Sequence, residues 1–314
     1  ADTIKVTGAY GTSLDLKNIE EVTMLADTTL TAASLANDST WELQGATFDL
    51  RVITEAGKNE TIDLSGATAS TLDIPVNVEL VGNTGDDTLT GMLNRANTLI
   101  DGVAGTNSLT GGNGIDTIYG GGGVDTINGL GGADIIDGQG GADIMNGGAG
   151  NDTITGGSVI DTIDGGADDD IITGNGGADI LTGADGNDTF VFTGDGDLFT
   201  AGNALVDTMT GGNDTDTILI NNNGGATFTV TSSDDFGAIG MEKILASPTD
   251  QIITLTLHAD TAADGITTVD LSGDTTSTAD NVLDASAVTT AGMTLTGSAG
   301  IDTITGSAQA DIIT

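Results

Sequence analysis

The sequence predicts an all-β fold: an elongated parallel β-roll or β-solenoid flanked by Thr/Ala-rich β-modules. Three observations predict it. From Gly102 to Val191 the chain repeats in register every nine residues, in ten copies without an insertion. Each copy carries one apolar residue at its eighth position, which suits a thin core stacked in series. The composition also lacks the material for a thick core: the 314 residues include 50 Gly but only one Trp, two Tyr, six Phe, two Pro and no Cys.

The repeat has the form G-G-x-G-x-D-x-U-x, where U is apolar. Position 8 holds Leu109, Ile118, Ile127, Ile136, Met145, Ile154, Ile163, Ile172, Leu181 and Phe190. A three-residue strand, x-U-x, turns these side chains inward and their neighbours outward. Glycines at positions 1, 2 and 4 permit positive φ, so that six residues reverse the chain with carbonyls facing inward. Position 6 supplies one carboxylate per copy: Asp116, Asp125, Asp134, Asp143, Asp152, Asp161, Asp170, Asp179 and Asp188, with Asn107 a weaker counterpart in the first copy. Related copies at Gly82–Thr90, Gly202–Thr210, Gly211–Leu219, Gly297–Thr305 and Gly306–Thr314 add Asp87, Asp207, Asp216, Asp302 and Asp311, and Gly91–Asp101 is a degenerate stretch.

Charge narrows the chemistry. Asp and Glu number 47 against 6 Lys and Arg, a net charge of −41. Such a chain repels phosphate backbones and anionic lipid, so nucleic-acid binding is not expected. No apolar run approaches the ~20 residues of a spanning helix, so neither is membrane insertion. The absence of cysteine excludes disulfide scaffolds, thiol catalysis and zinc-thiolate sites. The N-terminal residues show no basic and apolar leader pattern. Two nine-residue copies make one coil, so alternate aspartates stack at the strand spacing of ~4.8 Å. They repel by ~1 kcal/mol in water and by several times that when desolvated. Gly102–Val191 contains no Lys, Arg or Glu, so the counter-charge must come from outside. Flexible, oxygen-rich loops suit Ca²⁺, which takes 6–8 oxygen ligands.

Held in register over ten copies, this nonapeptide resembles the RTX (repeats-in-toxin) family of parallel β-rolls. The resemblance implies that each Ca²⁺ sits between successive loops, held by position-6 aspartates and by loop carbonyls. The carbonyl ligands are expected from Gly112, Gly114, Gly121, Gly123, Gly132, Gly141, Gly148, Gly150, Gly177 and Gly186, with roughly eight or more ions in all. It also implies secretion by the type I route of Gram-negative cells and an extracellular or cell-surface location.

Four segments follow: a Thr/Ala-rich β-module (1–81), the calcium roll (82–219, strict over 102–191), a second copy of the module (220–296) and the start of a second roll (297–314). Ala46–Ile53 and Ile252–Leu257 alternate as strands. Ile62-Asp-Leu-Ser-Gly66 returns as Val269-Asp-Leu-Ser-Gly273, and Gly82–Thr90 as Gly297–Thr305. Both ends look like cuts in a longer array. This alternation of Thr-rich segments and calcium rolls resembles RTX-type bacterial surface-layer proteins.

The expected function is structural and non-catalytic: a secreted surface-layer or filament subunit that folds and self-associates on binding Ca²⁺. The alternatives are the stalk or extender of a large RTX adhesin, or the non-catalytic RTX part of a secreted enzyme. Cell-surface polysaccharide is a further expected partner, through regions outside this stretch. No H-E-x-x-H and no G-x-S-x-G occurs, against the metalloprotease and lipase relatives. The single His258 reads as a strand residue and Trp41 as packing. Asp168, Asp169 and Asp170 read as calcium ligands and solvated loop residues rather than a glycosidase pair. Threonines at positions 7 and 9 are too irregular for an ice-binding face. Phe190 and Phe192 are expected to cap the core. Val159, at the usually glycine position 4, is expected to distort its loop by forcing a β-branched residue toward positive φ.

Overall fold

The computed structural model describes residues 3–6, 21–24, 29–31, 50–53, 59, 61–65, 78–93, 99–193, 207–221, 227–230, 240–247, 252–257, 265–275 and 281–314. Trp41, His258 and residues 202–206 lie outside this set. Every regular element described is a β-strand, and the strands pair in parallel. The chain divides into two units, Ala1–Gly157 and Ser158–Thr314.

In the first unit one sheet runs Thr3–Val6, Glu21–Met24, Leu50–Ile53, Val78–Val81, Leu99–Asp101, Thr117–Gly122, Ile135–Gly140, Thr153–Gly157. The other runs Thr29–Thr31, Thr61–Asp63, Thr88–Thr90, Ser108–Gly112, Thr126–Gly131, Ile144–Ala149. Successive nonapeptides therefore go to opposite sheets, and two of them complete one coil. The register stacks like on like: Ile118 on Ile136 and Ile136 on Ile154 in one sheet, Leu109 on Ile127 and Ile127 on Met145 in the other. Each of these side chains is at most 1% exposed. Burying each contributes about 1.5–3 kcal/mol.

The second unit repeats the scheme. One sheet runs Ile171–Asn175, Thr189–Phe192, Thr217–Ile220, Lys243–Ala246, Thr268–Asp270, Thr294–Thr296, Ile312–Ile313. A second holds Thr162–Ala167, Ile180–Asp185 and Thr208–Asn213, and a third Thr227–Val230, Ile252–Thr256, Val282–Asp284 and Thr303–Thr305. In both units the pairing continues past the strict repeats. Val78–Val81 pairs with Leu99–Asp101, and Thr217–Ile220 with Lys243–Ala246. The described flanking strands are thus further coils of a parallel solenoid, joined by longer and irregular connections.

Four expectations change. Most strands of the roll are five or six residues long rather than three, because positions 2 and 3 keep pairing with the next coil: Gly121 with Gln139, Gly122 with Gly140. The reversal is correspondingly short, three residues (Gly141, Ala142 and Asp143) between one pair of strands. Phe190 and Phe192 do not cap the core, since Ile218 and Ile220 of the next strand lie beside them. Position 2 holds left-handed backbone even without glycine: Val103 (φ 60°), Leu130 (77°), Gln139 (66°), Asn175 (64°) and Ala184 (86°). Val159 is absent from the positive-φ residues, as are Gly114 and Gly177 at the same position in other copies. Position 4 thus does not impose left-handed backbone in every copy, and Val159 fits without that strain.

Candidate metal centre

The position-6 aspartates sit where a strand begins, one residue before the outward-facing position 7. Asp116, Asp125, Asp134, Asp143, Asp152, Asp161, Asp170, Asp179, Asp188, Asp207 and Asp216 are all 0–2% exposed, as is Asp87. In the first unit the N–H of Asp116 donates to Oδ1 of Asp134 (2.7 Å), that of Asp125 to Asp143 (2.8 Å) and that of Asp134 to Asp152 (2.7 Å). In the second unit Asp161 donates to Asp179, Asp170 to Asp188, Asp179 to Asp207 and Asp188 to Asp216, at 2.8–2.9 Å. The backbone carbonyl of each such residue in turn accepts the position-7 N–H of the next coil, as Asp116 does from Ile135 (2.9 Å) and Asp170 from Thr189 (2.8 Å). One carboxylate oxygen per nonapeptide therefore extends the β-ladder through the turn.

The second oxygen has a different situation. Oδ2 of Asp125, Asp134, Asp188 and Asp216 is buried and accepts no hydrogen bond. It lies over the position-1 glycine of its own copy, beside the position-1 carbonyl of the next coil. A side-chain carbon on Gly120 would meet Asp125 Oδ2 at 2.8 Å and Gly138 O at 2.7 Å. Position 1 is glycine in every strict copy for this reason of space, not for φ. Oxygen faces oxygen there with no hydrogen between them, an arrangement that selects for a cation or a proton.

The titration of the carboxylates agrees. Burial pushes Asp134 up to about 7, opposed by the N–H of Asp116 and reinforced by the charges of Asp116 and Asp152. Burial likewise raises Asp125 and Asp216 to about 6. Asp143 and Asp188 are raised by the same cause.

The expected carbonyl ligands fall into two groups. Gly112, Gly121 and Gly148 at position 2 lie within strands, and Gly121 and Gly148 have positive φ. Gly114, Gly123, Gly132, Gly141, Gly150, Gly177 and Gly186 at position 4 form the loops, and five of these (Gly123, Gly132, Gly141, Gly150, Gly186) have positive φ. The carbonyls of Gly114, Gly123 and Gly132 lie against the α-carbons of Gly132, Gly141 and Gly150 one coil on. Each loop thus presents carbonyl oxygen to the loop stacked on it. Among the described residues no three His, Cys, Asp or Glu side chains converge on one point. An ion here would therefore draw one or two carboxylates and complete its shell from backbone oxygen. All these donors are hard oxygens, which fits Ca²⁺.

Other candidates behave differently. Asp302 and Asp311 are half-buried, and Ser298 Oγ and Ser307 Oγ donate to them at 2.8 and 2.5 Å. Asn107 has both heads of its amide engaged, with Oδ1 accepting the Asp87 N–H at 2.9 Å. Of the three consecutive aspartates only Asp170 joins the ladder; Asp168 is exposed at φ 77°, and exposed Asp169 accepts from Asn187. Two ladder members were missed from the sequence. Glu242 Oε2 accepts the Asp216 N–H at 2.7 Å, and Asn281 Oδ1 accepts the Ile253 N–H at 2.7 Å. The available signal for Asn281 was the pattern Asn-Val-Leu-Asp, a polar residue two places before the inward one.

The family model of the RTX calcium-binding nonapeptide repeat matches residues 79–93, 101–136, 120–154, 155–190 and 294–314. No curated protein and no solved structure matches the chain.

Proposed function

Because the chain carries RTX calcium-binding nonapeptide repeats, we infer that it is a structural, non-catalytic protein of the cell surface. It is a secreted surface-layer or filament subunit that folds and self-associates when Ca²⁺ fills the roll. The observation that carries this reading is the column of buried carboxylates whose outer oxygens, in Asp125, Asp134, Asp188 and Asp216, have no donor. Extracellular calcium modules bind at roughly 10⁻⁴–10⁻³ M, so the sites stay empty inside a cell and fill outside it. No helix among the described residues is long and apolar enough to cross a membrane.

Self-association draws support from the outer faces. Ile135, Ile144, Ile171 and Ile180 at position 7 are 46–55% exposed, and Ile115, Val124 and Ile160 at position 5 are 50–60% exposed. Where such side chains gather into contiguous patches they mark contact surfaces. A charge of −41 opposes contact, and eight bound ions would offset roughly sixteen of those charges. Light scattering and electron microscopy during a calcium titration test the reading. Ordered sheets or fibres at millimolar Ca²⁺ support it, whereas a folded chain that remains monomeric there favours an adhesin stalk.

A further inference from the structure

Asn107 stands at position 6 of the first strict copy, where the following copies have aspartate. Its Oδ1 accepts the N–H of Asp87, and its own N–H donates to Oδ1 of Asp125 at 2.7 Å, as in the rest of the ladder. The difference lies in the second head. Asn107 Nδ2 donates to Gly102 O (3.3 Å) and to Gly120 O (3.5 Å), the position-1 carbonyls of its own copy and of the next coil. A side-chain carbon on Gly102 would meet this nitrogen at 2.6 Å, just as one on Gly120 would meet Asp125 Oδ2 at 2.8 Å. The amide nitrogen and the orphaned carboxylate oxygen therefore occupy the same place. An amide brings two N–H donors to a gap lined by carbonyls, whereas a carboxylate brings another acceptor.

Asn281 provides an independent instance. It is 1% exposed, its Oδ1 accepts the Ile253 N–H, and its Nδ2 donates to buried Asp274 Oδ2 at 3.2 Å. There too the amide is satisfied within the protein at both ends.

We propose that position 6 sets how a coil is closed: aspartate by a cation, asparagine by its own hydrogen bonds. Asn107 is then a positioning residue that gives the roll one coil able to form in calcium-free chain, on which the cation-closed coils stack. The aspartate half rests on the calcium reading; the asparagine half rests on hydrogen bonds alone.

Two variants of the whole chain test it, Asn107→Asp and Asp125→Asn, each compared with the parent in EDTA and in saturating CaCl₂. In EDTA, amide exchange at Asp87 and Asn107 slows in the parent relative to Asp116 and Asp134. Asn107→Asp removes that protection by about tenfold, the scale of one lost net hydrogen bond. Asp125→Asn extends it to the Gly120–Asn128 copy. At saturation, Asn107→Asp binds at least one Ca²⁺ more than the parent and Asp125→Asn at least one fewer, read by atomic absorption after gel filtration. Unchanged exchange in Asn107→Asp, or faster exchange in Asp125→Asn under EDTA, overturns the proposal. If Asn107→Asp does not fold, the gain in Asp125→Asn decides alone. A parent that binds no Ca²⁺ defeats the calcium reading, yet the exchange contrast in EDTA still tests the asparagine closure.

Discussion

The Oδ1 atom of Asp134 accepts the backbone N–H of Asp116, eighteen residues earlier, at 2.7 Å. The side chain thereby does the work of a backbone carbonyl, and its loss strands a buried donor. Asp134→Ala is expected to cost about 1–3 kcal/mol more than Asp134→Asn, which keeps the acceptor. Urea unfolding of both variants in EDTA at pH 5, where protonation stabilises the calcium-free roll, checks this; equal midpoints count against the ladder.

Removing calcium is expected to unfold the roll. At pH 7.5, chelation with EDTA should abolish most of the β-sheet circular dichroism of Gly102–Val191, and Ca²⁺ should restore it while Mg²⁺, bound to strict octahedral geometry, does so poorly. A spectrum unchanged after stringent chelation contradicts the buried-carboxylate mechanism.

Without calcium the roll should be acid-stabilised. Burial raises Asp125 and Asp216 to about 6 and Asp134 to about 7, from an ordinary value of 3.8. The folded chain therefore binds protons more tightly than the unfolded one. This contribution is fully present below pH 3.8 and is lost as pH rises through 6 to 7. In EDTA the β-sheet circular dichroism lost at pH 7.5 should return as pH falls to 5. In calcium the trend should reverse, because protons then compete with the ion for Oδ2.

Glycine is required at position 1 and dispensable at position 3. Gly120→Ala places a carbon within 3 Å of both Gly138 O and Asp125 Oδ2. Overpacking of this kind costs about 1–3 kcal/mol, and here it also displaces the candidate ligand. In Gly122→Ala the nearest atom is Val103 O at 3.9 Å, so stability should be retained. Calcium-dependent melting temperatures of the two variants separate them.

The strain lies at Val103 rather than at Val159. A β-branched residue at φ 60° is held against its own preference, at a cost of about 1–3 kcal/mol. Val103→Gly is expected to stabilise the chain, and Val159→Gly to give no gain. Thermal unfolding in saturating calcium compares them.

Much of this architecture was legible in the chain. Ile118, Ile127 and Ile136 recur every nine residues because each fills one step of a thin core, and a period that constant admits no other geometry. The carboxylate column was legible for the same reason. The dual role of each aspartate was not, because sequence reports a residue type at a position and not which oxygen meets which donor. Nor was the extension of the solenoid beyond the strict run. Asp179 meets Asp207 and Ile253 meets Asn281 across 28 residues, and Asp216 meets Glu242 across 26. Strand pairing needs only that each coil return to its sheet, so the connections lengthen without disturbing the stack and the period disappears. The left-handed residues at position 2 were hidden because Leu130, Gln139 and Ala184 carry no sign of that backbone.

In each unit the carboxylate clasps of the ladder point the same way: an earlier N–H is gripped by a later side chain, Asp116 by Asp134 in the first and Asp188 by Asp216 in the second. The stack therefore has a grammatical order, in which each coil is completed by the one that follows it. Damage does not spread symmetrically along such a stack. A lesion that erases a coil takes a side-chain lock from its predecessor, whereas its successor loses a backbone acceptor, as Thr153 would lose Asp134 O. A polypeptide of this kind behaves as a one-way clasp, and its last-written coils secure those written before them.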